Sequence, residues 1–134
     1  MTAQQIKTTP DPFESYLISQ AFVVGNLVIT SGQASIGLDG KIVGVGDFDA
    51  QAEQVFQNLS AVLEAAGSSL AKVIKVTIYL TDMANFPKIV ALRERFFSAP
   101  YPADTIVEVR ALALEELEIE IEATAILSGE KAPG

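Results

Sequence analysis

The stretch Leu117-Glu118-Ile119-Glu120-Ile121-Glu122-Ala123-Thr124-Ala125-Ile126-Leu127 alternates apolar and polar residues. Successive side chains of a strand point to opposite faces, so this run predicts a long strand. Ile119, Ile121, Ala123 and Ala125 fall on one face, and Glu118, Glu120, Glu122 and Thr124 on the other. Lys72–Thr81 follows the same rule, with Ile74, Val76, Ile78 and Leu80 opposite Lys75, Thr77, Tyr79 and Thr81. A central strand buries both faces, which predicts that the second face meets another subunit. Ala21–Val24 and Leu27–Ser31 read as a hairpin joined by Gly25-Asn26, a two-residue turn signal. Ile42–Val45 and Thr105–Val109 complete the strands.

Two helices lie between them. Val55, Leu59, Val62, Leu63 and Ala66 recur at helical spacing, with Asp47 or Asp49 as the cap and Gly67 as the stop. Ile89, Val90, Phe96 and Phe97 form the apolar side of the second helix, which Asp82 or Asn85 caps. Pro87 stands in its first turn, and Pro100 and Pro102 end it. The order β-β-(β)-α-β-α-β-β predicts an α+β fold, a single sheet with two helices packed on one face. Closed symmetric assembly is the natural cover for the other face. Residues 1–134 form one domain, with 1–15 a loose arm broken by Pro10, Asp11 and Pro12, and 128–134 a frayed tail.

Composition narrows the chemistry. With no cysteine, disulfides, thiolate nucleophiles and zinc–thiolate sites are excluded. With no histidine, Ser-His and Cys-His machinery is excluded too. Acid–base work falls to carboxylates, tyrosines, lysines or water. The formal net charge of −8 disfavours nucleic acid and anionic membranes as partners. The residues from Met1 to Pro12 lack a signal-peptide profile, and no apolar run approaches membrane-spanning length. A cytoplasmic protein is expected. An apolar content of 49% and a mean hydropathy of +0.33 are high for a small chain. They fit either an additional buried interface or an alanine- and valine-rich core.

Several motifs, in order, resemble the RidA/YjgF family. They are Gly25-Asn26-Leu27-Val28-Ile29-Thr30-Ser31-Gly32-Gln33, Glu64-Ala65-Ala66-Gly67, Val73–Leu80 ending in Thr81-Asp82, Pro102-Ala103 before Val107-Glu108-Val109, and Ile119-Glu120-Ile121-Glu122-Ala123. Together they span roughly residues 16–127. The resemblance implies a chorismate-mutase-like fold and a homotrimer with a small-molecule cleft between subunits. It also implies hydrolysis of reactive enamines and imines to the oxo compound and ammonia, with no metal and no organic cofactor. A non-catalytic trimer that binds small molecules in the same clefts is the alternative.

Carried over by motif, Glu120 is the catalytic acidic residue that positions water. Tyr16, Ser31, Gly32 and Phe86 line the substrate pocket. Where catalytic members of the family carry an arginine that clamps the substrate carboxylate, this chain has Asp104. Ile106 stands where the family often has cysteine. Two unit charges about 4 Å apart interact by roughly 4 kcal/mol at an effective dielectric of about 20. Exchanging attraction for repulsion therefore predicts an altered substrate preference. Arg93 and Arg95 are expected to be solvated, and Arg110 either reaches the pocket or pairs with Glu108 or Asp104. Simpler roles are available to each. The glutamate row can be a solvated strand face, Ser31-Gly32 a strand end, Tyr16 and Phe86 packing, and Asp104 a turn residue.

Overall fold

A computed structural model describes residues 1–134. Its strands are β1 (Gln4–Ile6), β2 (Ala21–Val24), β3 (Leu27–Thr30), β4 (Gln33–Ala34), β5 (Val73–Leu80), β6 (Ala103–Glu108) and β7 (Ile119–Ile126). The helices are α1 (Phe48–Ala65) and α2 (Phe86–Phe96). All seven strands form one sheet in the order β1-β2-β3-β7-β5-β6, and β4 also pairs with β7. β5 and β6 run parallel with α2 as the crossover, and every other pairing is antiparallel.

The helix ends follow local chemistry. Asp47, not Asp49, caps α1, its carboxylate accepting the Ala50 N–H at 3.0 Å. Gly67 at φ +87° ends it. The amides of Ser68 and Gly67 donate back to Leu63 and Glu64 at 2.8 and 3.0 Å, satisfying carbonyls that a helix end leaves open. Asp82 caps the short turn Met83–Asn85 that leads into α2.

Both helices cover one face of the sheet. The core joins Val55, Leu59, Val62 and Leu63 of α1 and Ile89 of α2 to Val76, Ile78 and Leu80 of β5 and to Ile119, Ile121, Ala123 and Ala125 of β7. Phe56 locks the helices together, stacked on Phe96 at 4.3 Å and edge-on to Phe97 at 5.5 Å.

Several expectations need correction. The first residues are not wholly a loose arm, because Gln4–Ile6 adds an edge strand to β2. The tail is tied down at Ser128, whose backbone and hydroxyl bond Asn26 in the hairpin turn, and at Lys131, which donates to the Ser98 carbonyl at 2.7 Å. Ile42–Val45 makes a single bridge, from Ile42 to Ile36, instead of a strand. In β5 an irregularity between Val73 and Lys75 breaks the alternation, so Val73 takes the first core position and Ile74 is half-buried.

Candidate functional site

The site begins where β3 hands over to β4. Both strands pair with β7, but Ile29 faces Thr124 while Gln33 faces Ile121. Three residues, Thr30–Gly32, therefore stand against two, Glu122 and Ala123. This is a bulge, and it interrupts the hydrogen-bond ladder. The buried Thr30 repairs the gap, its hydroxyl accepting the Ala123 N–H at 3.1 Å.

The bulge brings Gly32 against Glu120. A Cβ on Gly32 would lie 2.7 Å from the Glu120 carboxyl carbon, closer than side chains approach. A side chain at this position would push the carboxylate out of its place. Ser31 ties the bulge to the preceding loop, its amide donating to the Gln20 carbonyl at 2.8 Å and its hydroxyl to the Ser19 carbonyl at 2.5 Å. The hydroxyl oxygen still has capacity to accept.

Glu120 opens into a pocket of about 580 Å³. Its walls come from the loop bearing Phe13, Tyr16 and Ile18, from Ser31-Gly32, and from the segment bearing Ala113, Leu114 and Leu117. Tyr16 stands at the mouth, 70% exposed, followed by Leu17 in a left-handed conformation at φ +59° that few non-glycine residues adopt. Behind Phe13 lies a second, smaller cavity of about 40 Å³ that shares Pro12, Phe13, Ala34 and Ile36 with the first. Burial raises the Glu120 carboxyl above the usual carboxylate range, and the neighbouring charge of Glu122 raises it further. No lysine or arginine lines the pocket. No three acidic, histidine or cysteine side chains converge in an arrangement that would hold a metal ion.

Four of the residues nominated from sequence, Tyr16, Ser31, Gly32 and Glu120, thus meet in one cavity. Phe86, Asp104 and Arg110 are absent from its lining. Phe86 is 42% exposed at the start of α2. Asp104 pairs in register with Val76, so it shares the face covered by the helices, opposite to Glu120. There Arg93 grips it with two bonds of 2.9 and 3.0 Å, and the two side chains are only 25% and 18% exposed. Arg93 is therefore not a freely solvated charge, and Asp104 is not a bare one. Arg95 is likewise engaged, with Glu53 at 2.7 Å. Arg110 is exposed and makes no ion pair with Glu108 or Asp104.

Sequence reasoning missed Gln51. Its side chain is fully buried in α1. Its amide nitrogen donates to the carbonyls of Gly44 and Glu116 at 3.1 and 2.8 Å, and its oxygen accepts the Glu118 N–H at 2.8 Å. It thereby clamps the entrance of β7, two residues before Glu120. One signal was visible: Gln51 sits on the i, i+4, i+8 line of Val55 and Leu59, where a polar residue must find buried partners.

A one-sheet α+β fold with a carboxylate set against a strand bulge is the class defined by this fold and site. The family model described as Endoribonuclease L-PSP matches residues 6–127. A RutC family protein of Pyrococcus horikoshii is 44% identical over 120 residues, covering 89% of this chain and 92% of that protein. The 2-iminobutanoate/2-iminopropanoate deaminase of Salmonella typhimurium is 40% identical over 111 residues, covering 80% and 84%. Among solved structures, RidA from an Antarctic Psychrobacter superposes with a TM-score of 0.83 at 39% identity, covering 92% of this chain and 98% of that one. The YjgF gene product of E. coli gives 0.81 at 32% identity, covering 92% and 98%. The chain belongs to the RidA/YjgF family.

Proposed function

We propose that this protein is a hydrolytic deaminase of small enamines and imines, with Glu120 as its catalytic residue. The observation that carries this reading is the half-buried Glu120 carboxyl seated against Gly32 at the wall of an otherwise uncharged cavity. Likeness to a relative named as a 2-imino acid deaminase supports it. The reaction balances without an oxidant or reductant. Glu120 protonates the imine nitrogen, water adds to the carbon, and the carboxylate takes up the proton that the water sheds. A second proton transfer to the nitrogen lets ammonia leave as the C=O bond forms, and the hydroxyl proton passes to the carboxylate, which ends protonated as it began. A single carboxyl can serve as acid and then base when its proton affinity lies near the working pH.

The substrate preference follows from charge. An imino acid needs a cation for its carboxylate, best an arginine fork. The lining of this pocket supplies none, and the residue at the clamp position is Asp104, already held by Arg93. Imines without a carboxylate, or bearing an amine, are the favoured class.

The same reading includes a homotrimer. Phe22, Leu27, Ile29 and Val107 lie exposed on the face that carries no helix, and a second copy of the chain would cover them while closing the pocket's open side. No helix is long and apolar enough to cross a membrane. The ribonuclease in the family model's description finds little support in a chain of charge −8 with no histidine.

The test is ammonia release from freshly generated imines, with and without protein. Acceleration that disappears in Glu120→Gln supports the proposal, and no acceleration over buffer with any imine overturns it. The absence of a cation also favours the second reading, a non-catalytic binder. In that case amines raise the melting temperature more than acids do, without turnover.

A further inference from the structure

We propose that Glu122 and Tyr79, which lie outside the pocket, form a positioning pair that keeps the proton on Glu120, so that Glu120 meets the imine nitrogen as an acid. The inference rests on the role given to Glu120 above.

Alternation along β7 puts Glu120 and Glu122 on the same face of the sheet, away from the helices. Their backbones are about 7 Å apart, two strand residues. Tyr79 of β5 is the direct cross-strand partner of Glu120, whereas Glu122 stands opposite Thr77. Yet the Tyr79 hydroxyl does not turn to its own partner. It leans along the sheet and donates to the Glu122 carboxylate. Diagonal neighbours on a sheet are within reach of a tyrosine.

The two glutamates therefore occupy unequal settings. Glu122 has a phenol donor that holds its carboxylate in place. Glu120 is half-buried against Gly32, and no group of the chain donates to it. When two carboxyls share a face, the proton settles on the one whose charge is worse accommodated. Here that is Glu120. Burial is the larger cause of its raised proton affinity, and the charge of Glu122 is the second. The phenol of Tyr79 is itself raised, first by its bond to Glu122, so it stays a donor through neutral pH.

The surrounding groups do not offset this arrangement. On β5, Lys75 is turned to the Thr105 hydroxyl at 2.7 Å. Glu118, at the entrance of β7, is drawn to Gln51. β3 and β4 bring no ionisable side chain to the bulge. Tyr16 is the one further ionisable group that lines the pocket. Fixing the Glu122 carboxylate matters because a glutamate free to swing into solvent would have its charge screened.

The pair is tested by following the side-chain carboxyl signals of uniformly 13C-glutamate-labelled protein through a pH titration. The Glu120 signal is assigned by its loss in Glu120→Gln. In Glu122→Gln the Glu120 midpoint should move to lower pH. In Tyr79→Phe it should move the same way by less, and Glu122→Asp should restore part of the loss. An unmoved midpoint in a Glu122→Gln protein with unchanged thermal unfolding overturns the pairing. Should Glu122→Gln fail to fold, Tyr79→Phe decides by the same reading. Kinetics give an independent readout. Activity that needs the protonated acid falls as pH rises through its titration, so the alkaline limb of kcat in Glu122→Gln should shift downward. The rate at pH 7 should drop roughly threefold to tenfold, with KM unchanged. If the wild type hydrolyses no imine, the catalytic reading fails while the titration still decides the pair. If the wild type is active and neither midpoint nor limb moves, the pair is refuted and the catalytic reading stands.

Discussion

The two faces of the sheet are made by the same strands and do opposite things. On the helix side, β7 contributes Ile119, Ile121, Ala123 and Ala125, all buried. One residue out of phase, the same strand presents Glu120, Glu122 and Thr124 to the other side. On the helix side the carboxylate of Asp104 is paired with Arg93. On the open side, Glu120 is left without a donor and its proton affinity rises. The period of two in a strand thus lets one segment serve as scaffold and as chemistry, with rigidity on one face holding reactivity on the other in place.

This division can be broken from either side. The largest effect is expected on the scaffold side. Ile121→Ala removes a fully buried side chain and should destabilise the fold by about 2–5 kcal/mol, measured by denaturant unfolding. Next comes Gly32→Ala, which sets a methyl group against the Glu120 carboxyl. It should lower imine hydrolysis by at least about tenfold by displacing the acid, while costing far less stability than Ile121→Ala.

Glu120→Gln sharpens the contrast, because the two faces should respond with opposite signs. A carboxyl whose proton affinity is raised on folding stabilises the protein below its unfolded titration range. That contribution is lost as pH rises through the folded one. Substituting Gln removes this loss. The variant should therefore melt at the same temperature or a few degrees higher near neutral pH, by no more than about 3 °C. Its stability should also vary less across the weakly acidic range, as thermal unfolding at several pH values would show. A similarly small effect, read by denaturant unfolding, is expected for Arg93→Ala. It leaves Asp104 unpartnered and should cost about 1 kcal/mol, since the pair is partly exposed.

Much of this was legible in the chain. Alternation over 117–127 placed Glu120 opposite the core, and caps and breakers placed both helices within a residue or two. The resemblance carried Tyr16, Ser31, Gly32 and Glu120, and these share a cavity. It also carried Phe86 and the clamp position Asp104, and Arg110 was the candidate cation, but none of these three lines that cavity. Asp104 follows the parity of β6, which sends its side chain toward α2, and no local pattern specifies which arginine of α2 will meet it.

What the sequence by itself determined are the features that depend on neighbours a few residues apart: strand faces, helix stripes, caps and turns. The tertiary structure alone decided the bulge at Thr30–Gly32, the buried clamp of Gln51 on the entrance to β7, and the Tyr79–Glu122 bond. Each of these joins residues far apart in the chain, 43 in the case of Tyr79 and Glu122. Their meeting depends on strand register, which is settled when the whole core packs and buried polar groups find their partners.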